Sequence, residues 1–321
     1  MQDSKICVVL GAGGFIGGHL SQRLLDQGNS VIGADIKLHE YSNIPFTNFF
    51  ECDLRDIENV RKVIPDNADE VYQLAADMGG ATYINAGIYD ADVMSNSILI
   101  NTNVLKVAVE RKVKKIFYSS SACVYPEYNQ LEPDNPKCSE DSVYPAEPDT
   151  EYGWEKLFSE RLYKAFEKQY KLNIRIARFH NIFGPYGTYE GGKEKAPAAI
   201  CRKVCLTDGS IDVIGDGKQT RSFLYVTDCI DAIQKLMLSE FKEPINIGSE
   251  EMVTINELAN VVFSIAGKEV KINHIPGPQG VRGRNSDNKL IREVLNWEPK
   301  YSLVDGLKIT YKWICGKLTH V

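Results

Sequence analysis

A short β-branched run, Ile6–Leu10, leads directly into Gly11-Ala12-Gly13-Gly14-Phe15-Ile16-Gly17, and an amphipathic stretch, Gly17–Gln27, follows. Glycines three apart between a strand and a helix leave the backbone few options. Gly11 lets the chain turn tightly, Gly14 lets backbone N–H groups approach a pyrophosphate, and Gly17 lets the helix pack close to the strand. The helix start adds partial positive charge beside bound phosphates. Gly11, Gly14, Phe15, Ile16 and Gly17 therefore form a candidate dinucleotide cradle. Asp35 ends the second strand-like run, Val31–Asp35. An acid there accepts from both ribose hydroxyls of NAD and repels the 2′-phosphate of NADP. Asp53, in Cys52-Asp53-Leu54, either faces the adenine or is a solvated turn residue.

Further strand-like runs, Glu70–Leu74, Lys115–Ser119 and Ile174–Phe179, alternate with helical stretches at Asn96–Arg111 and Trp154–Tyr170. This alternation predicts right-handed βαβ crossovers and a parallel sheet. From Phe183 the texture changes to Gly, Pro, Lys and Arg through Gly184–Lys203. A helical stretch, Asp228–Ser239, and a strand-like run, Pro244–Ile247, then return to the first pattern, before a glycine- and arginine-rich loop at Pro276–Asp287. The expectation is an α/β fold, a Rossmann-type doubly wound parallel sheet with a smaller, discontinuous C-terminal substrate domain. The nucleotide-binding part spans 1–182 plus about 222–249; the substrate part spans about 183–221 plus 250–321.

The formal net charge of −6 argues against a protein that coats nucleic-acid phosphates. No apolar run approaches the ~18 residues of a membrane span. The N-terminus enters a strand without a cleavable leader, which points to a cytoplasmic protein. In that compartment the eight cysteines read as reduced thiols. Cys201 and Cys205, four apart on a helix with no histidine pair nearby, make a poor metal site, so no metal is expected. His19, His39, His180, His274 and His320 are scattered and read as structural; Trp297 and Trp313 read as core.

Tyr152-Gly153-Trp154-Glu155-Lys156 opens a helix downstream of Ser119-Ser120-Ser121. A Tyr and a Lys four apart share one helix face. A free phenol, with a pKa near ~10, is a poor base at neutral pH. A lysine ammonium and a nicotinamide cation would stabilise the phenolate, and Ser121 could hold the same substrate hydroxyl. Together with the glycine loop, this arrangement resembles the extended short-chain dehydrogenases/reductases along the whole chain. The resemblance implies alcohol oxidation by NAD, with Tyr152 as base, Lys156 holding the cofactor ribose and the phenolate, and Ser121 aiding.

In that family, nucleotide-sugar dehydratases place an acid pair beside the serine. Here the segment reads Ser121-Ala122-Cys123, without a carboxylate. A thiol, with a free pKa near ~8.5, can move a proton at carbon in a cationic neighbourhood. Equally, Cys123 reads on position alone as a small buried hydrophobe. Further segments narrow the choice: Ala76-Asp77-Met78-Gly79-Gly80, Ser121 to Glu127, His180 to Thr188, Gly191-Gly192-Lys193-Glu194-Lys195-Ala196-Pro197-Ala198-Ala199 and Val281 to Asp287. As a set these resemble the signature of the GDP-mannose 3,5-epimerases. That resemblance implies Cys123 and Lys195 as an acid–base pair on opposite faces of the sugar. It also implies substrate contacts at Gly79, Ser121, Ala122, Cys123, Asn181, Glu194, Lys195, Ala196, Lys203, Gln219, Thr220, Arg221 and Arg284. The chain departs from the family at Ala81–Ile88, close to the sugar, and in a shorter N-terminus.

Lys193, Lys195, Arg202, Lys203, Arg221, Arg282 and Arg284 read either as a solvated basic face or as a pyrophosphate clamp, since arginine forks match phosphate oxygens. The favoured expectation is an NAD-dependent 3,5-epimerase of a GDP-sugar. A related NAD enzyme on another nucleotide sugar (a 4-epimerase, a C4 oxidase or a GDP-heptose epimerase) and a silent NAD-binding scaffold stay open. The resemblance further implies a homodimer, paired through helices such as Asn96–Arg111 and Trp154–Tyr170.

Overall fold

The computed structural model describes residues 4–84, 87–277 and 280–319. His320 and parts of the Ala81–Ile88 and Pro276–Asp287 segments lie outside the described residues. The chain begins with β1 (Ile6–Leu10), α1 (Phe15–Asp26), β2 (Ser30–Asp35), β3 (Asn48–Glu51), α2 (Ile57–Val63), β4 (Glu70–Gln73), α3 (Ala81–Ile84), α4 (Asp90–Glu110), β5 (Lys115–Ser121), α5 (Glu151–Tyr170) and β6 (Ile174–Phe179). It continues through β7 (Ile182–Phe183), α6 (Ala196–Leu206), β8 (Ser210–Ile214), β9 (Thr220–Ser222), β10 (Leu224–Tyr225), α7 (Val226–Leu238) and β11 (Ile245–Ile247). The last elements are β12 (Met252–Thr254), α8 (Ile255–Ala266), β13 (Lys271–Ile275), β14 (Gly283–Arg284), α9 (Lys289–Leu295) and α10 (Leu303–Leu318).

Seven strands form one all-parallel sheet in the spatial order β11-β6-β5-β4-β1-β2-β3. Both faces of this sheet are covered. In β1, Cys7 and Val9 enter one core cluster while Val8 and Leu10 enter the other, all four fully buried. That double burial is why the strand reads as an unbroken apolar run. Between β1 and β4 the order of succession reverses, and such a switch point opens a crevice at the carboxyl ends of the strands. The glycine loop after β1 and the serines ending β5 both lie at that edge.

Helix starts differ from the sequence reading where polar residues begin the first turn. α5 starts at Glu151 because Thr150 caps it, its hydroxyl accepting from the Gly153 N–H at 3.2 Å. α4 starts at Asp90, with Asp90 and Asp92 complementing the helix dipole, upstream of the first clear apolar periodicity at Asn96.

Outside the large sheet, β8 pairs with β13, and β9 lies between β12 and β14. Beside them, α6 and α10 carry Cys205 and Cys315, which are joined in a disulfide. The expectation that every cysteine is a free thiol is therefore corrected for this pair. The two lie 110 residues apart in sequence, so spacing gave no hint of the packing that joins them. Cys201, one turn before Cys205, is buried as a free thiol. Trp297 lies in the core, whereas Trp313 is half-buried among Tyr41, Tyr186 and Tyr189. No helix among the described residues is long and apolar enough to cross a membrane.

Candidate active site

At the glycine loop, Gly11 takes a φ of +85°, and a Cβ there would come within 2.8 Å of the Ala75 nitrogen. A Cβ on Gly17 would stand 2.0 Å from the Gly11 carbonyl oxygen, which binds α1 tightly to the strand end. Gly14 is the N-cap and has no side chain to satisfy the first turn, so the N–H groups at Phe15 and Ile16 are left for an anion. Asp35 closes the far side. Its carboxylate accepts from the Gly13 N–H at 3.0 Å and from the Ile36 N–H at 2.7 Å, and burial pushes its pKa upward. Asp53 is further out, paired with Arg55 at 2.6 Å on the surface.

The second half of the site is built on the end of β5 and the start of α5. Ser120 donates to Glu160 at 2.6 Å, and Glu160 pairs with Arg178 of β6 at 2.8 Å, all buried. This tie fixes the serine run against α5. Lys156 is buried one turn after Tyr152 and donates to the Ser119 carbonyl at 3.0 Å, its ammonium 5.7 Å from the Tyr152 ring centre. That single bond leaves two of its N–H donors for a ligand. Burial pushes the Tyr152 phenol well above its usual range, opposed by a hydrogen bond with Ser121 and by the charge of Arg284. Burial also pushes the Lys156 ammonium down. A cationic ring beside the phenol is what such a pair lacks as a base.

Cys123 sits in a single 3₁₀ turn capped by Ser121, whose hydroxyl accepts from the Cys123 N–H at 3.2 Å. The thiol is buried and packs with Tyr152 and Val93, beside Tyr83 and Ile84. Arg284 donates to Cys123 Sγ at 3.1 Å and to Asp149 Oδ1 at 3.1 Å. Lys195 precedes α6 as its N-cap, and its Nζ forms no hydrogen bond or ion pair among the described residues. Burial lowers the pKa of this amine, against the opposing influence of Cys123 and Cys229 nearby. The loop leading to Lys195 is held from behind: the Gly80 N–H donates to the Lys193 carbonyl at 2.9 Å. A Cβ on Gly80 would stand 2.3 Å from the Glu194 carbonyl oxygen, so Gly79-Gly80 lets the two loops touch.

Among the remaining candidates, Arg221 is the clearest anion partner. Its guanidinium donates to the Thr220 and Val281 carbonyls, it has no carboxylate partner among the described residues, and burial and nearby Arg284 push its pKa down to about 10. Gln219 beside it leaves a buried Oε1 without a hydrogen bond. Asn181 takes a φ of +44° and donates to the Ser222 carbonyl at 3.0 Å. Glu194 accepts from the Gly192 N–H at 2.6 Å, and Ala196 opens α6. The structure thus gathers Ser121, Ala122, Cys123, Tyr152, Lys156, Lys195, Arg221 and Arg284 into one region. Lys203 donates to the Asp212 carbonyl at 2.6 Å, one of its three N–H donors, and Arg282 pairs with Asp216 at the surface. Sequence reasoning missed Asp149 and Gln130, which hold Arg284. Asp149, directly before the Thr150 cap, reads in sequence as an ordinary loop residue.

A model of the NAD-dependent epimerase/dehydratase family matches residues 7–248. The chain belongs to this family. Among curated relatives, the GDP-mannose 3,5-epimerase of Arabidopsis thaliana is 47% identical over 98% of this chain and 82% of its own. GDP-mannose 3,5-epimerase 1 of Oryza sativa subsp. japonica is 46% identical over 95% of this chain and 80% of its own. These matches bear out the resemblance read from the motifs. Among solved structures, UDP-glucose 4-epimerase of Thermotoga maritima with UDP-glucose superposes with a TM-score of 0.85 at 26% identity, covering 97% of this chain and 99% of that one. UDP-glucuronic acid 4-epimerase of Bacillus cereus, with UDP-glucuronic acid and NAD, gives 0.82 at 27% identity, with the same coverage. The family's cofactor fits the residues present, since uncapped N–H groups at α1, a carboxylate at Asp35 and spare donors on Lys156 match a dinucleotide's phosphates and riboses. Asp35→Asn is expected to shift the NAD-over-NADP preference towards NADP by roughly one to two orders of magnitude, read as the ratio of the two dissociation constants.

Proposed function

We propose that the protein inverts C3 and C5 of GDP-mannose through a transient 4-keto sugar, giving GDP-L-galactose, with GDP-L-gulose as the singly inverted product. The observation that carries this reading is the juxtaposition of a thiol, Cys123, and an amine without a partner among the described residues, Lys195, beside the Tyr152–Lys156 pair. When bound, NAD supplies the reversible hydride acceptor that makes C4 a ketone and later an alcohol again. Tyr152 takes the proton of the C4 hydroxyl and returns it at the end. Ser121 holds that hydroxyl, and Lys156 holds the cofactor ribose and steadies the phenolate. A carbonyl at C4 acidifies the hydrogens on both flanking carbons, because each carbanion is delocalised as an enolate. Cys123 and Lys195 then remove and return protons at C5 and C3 from opposite faces, so each centre inverts. Redox machinery therefore serves a reaction with no net redox change.

Gly79, Ser121, Ala122, Cys123, Asn181, Glu194, Lys195, Ala196, Lys203, Gln219, Thr220, Arg221 and Arg284 line the substrate site in this proposal. Asp53 completes the adenine end of the NAD site. The chain divides into a cofactor unit, 1–182 plus about 222–249, and a substrate unit made of the rest. In this proposal the protein is cytoplasmic and works as a homodimer; the dimer is supported by Leu99 on α4 and Trp154 and Phe158 on α5, large apolar side chains 40–49% exposed.

The test is incubation of the purified protein with GDP-mannose in deuterated water, with NMR of the recovered sugar. Deuterium at C3 and C5, none at C4, and both inverted products are expected. Turnover without label at C3 and C5 would instead indicate a 4-epimerase or a C4 oxidase. No turnover of any GDP-sugar would indicate a binding protein.

A further inference from the structure

Among the basic residues that read in sequence as a solvated face or a pyrophosphate clamp, Arg284 has its guanidinium already engaged on three sides. Nη1 donates to Cys123 Sγ at 3.1 Å, Nη2 to Asp149 Oδ1 at 3.1 Å, and Nε to Gln130 Oε1. Cys123 is 7% exposed, Arg284 8% and Gln130 0%, and the half-buried Asp149 keeps its side chain 9% exposed. Gln130 is itself locked. Its Nε2 donates to the Tyr125 and Pro126 carbonyls at 3.0 and 3.1 Å, and its own carbonyl accepts from the Gly283 N–H at 3.0 Å. Gly283 permits this approach, since a Cβ there would stand 2.4 Å from the Glu132 carbonyl oxygen. A fork held by two fixed oxygens has little freedom to turn towards a phosphate. Arg221, by contrast, has only carbonyl partners among the described residues and lies within electrostatic range of the same sulfur.

We infer that Arg284 is the charge partner of the Cys123 sulfur during proton transfer, and that Asp149 is the positioning residue that aims it, while Arg221 is left to meet the pyrophosphate. This inference rests on the proposed epimerisation. Physically, a sulfur that gives up its proton becomes an anion in a buried pocket, where an unpaired charge is costly. A guanidinium already in contact removes that cost without reorganisation. Asp149 neutralises the arginine between transfers and fixes its plane.

The experiment uses the NAD-loaded protein and two readouts: the dissociation constant for GDP, and deuterium wash-in from GDP-mannose in deuterated water. Asp149→Asn is expected to bind GDP within about threefold of wild type and to lose roughly 10- to 100-fold in wash-in at the carbon that Cys123 deprotonates. Asp149→Glu, which keeps the charge, should recover most of that loss. Retained GDP affinity also shows that the variant is folded. If Asp149→Asn does not fold, Arg284→Lys serves in its place, with the same expected split between GDP binding and wash-in. Arg221→Met should weaken GDP binding by more than about tenfold, unlike Asp149→Asn. A tenfold loss of GDP affinity in Asp149→Asn or Arg284→Lys with normal wash-in would overturn the inference, as would a variant unaltered in both readouts. Wild-type protein without wash-in at C3 and C5 would instead sink the epimerase reading itself.

Discussion

Tyr152→Phe is expected to abolish label exchange at every ring carbon, although the phenol touches only the C4 hydroxyl. The hydrogens at C3 and C5 are acidic only while C4 is a ketone, and the ketone forms only if the hydroxyl proton has a base to go to. Loss of one positioned base costs roughly 2–4 orders of magnitude. The variant lacks a single oxygen in a packed cluster with Val93, Cys123, Tyr83 and Ile84, so its fold and its affinity for GDP-mannose should persist. The check is wash-in measured beside substrate affinity. Wash-in at C3 or C5 near the wild-type rate would mean that the carbanion forms without prior oxidation, and the redox route would be wrong.

Cys123→Ala and Lys195→Met are expected to fail one step later. Both should bind NAD and substrate, and both should still oxidise C4, seen as absorbance of the reduced cofactor on mixing with GDP-mannose. Inversion should fall by roughly 2–4 orders of magnitude in each. The reason lies in stereochemistry: inverting a carbon takes one group to remove the proton and another, on the opposite face, to return it. Lys195 suits its part because burial lowers the affinity of its amine for a proton and no carboxylate among the described residues holds it. Cys123→Ala should also lose wash-in at the carbon whose proton the thiol removes. Undiminished incorporation at both C3 and C5 in that variant would remove Cys123 from the mechanism.

The sheet was legible because its central strands are buried on both faces, so Cys7 to Leu10 read as one apolar run. The cofactor loop was legible because only glycine fits at Gly11 and Gly17, where a Cβ would meet backbone. Contacts made across the fold were not legible. Cys205 meets Cys315 because α6 packs on α10, and no local spacing records that. Asp149 and Gln130 acquire a role only when Arg284, on β14, arrives beside them. Basic residues close in sequence likewise took separate partners: Arg284 turned to the thiol, while Arg282 turned to Asp216 at the surface. Sequence proximity shows that charges are near one another, but not which buried acceptor each one finds.

The most direct measurement is a crystal structure of the protein with NAD and GDP-mannose bound. The mannose ring is expected between Cys123 Sγ and Lys195 Nζ, one near each face, with C4 towards Tyr152. A ring with both groups on one face, or with either remote from C3 and C5, would contradict the mechanism.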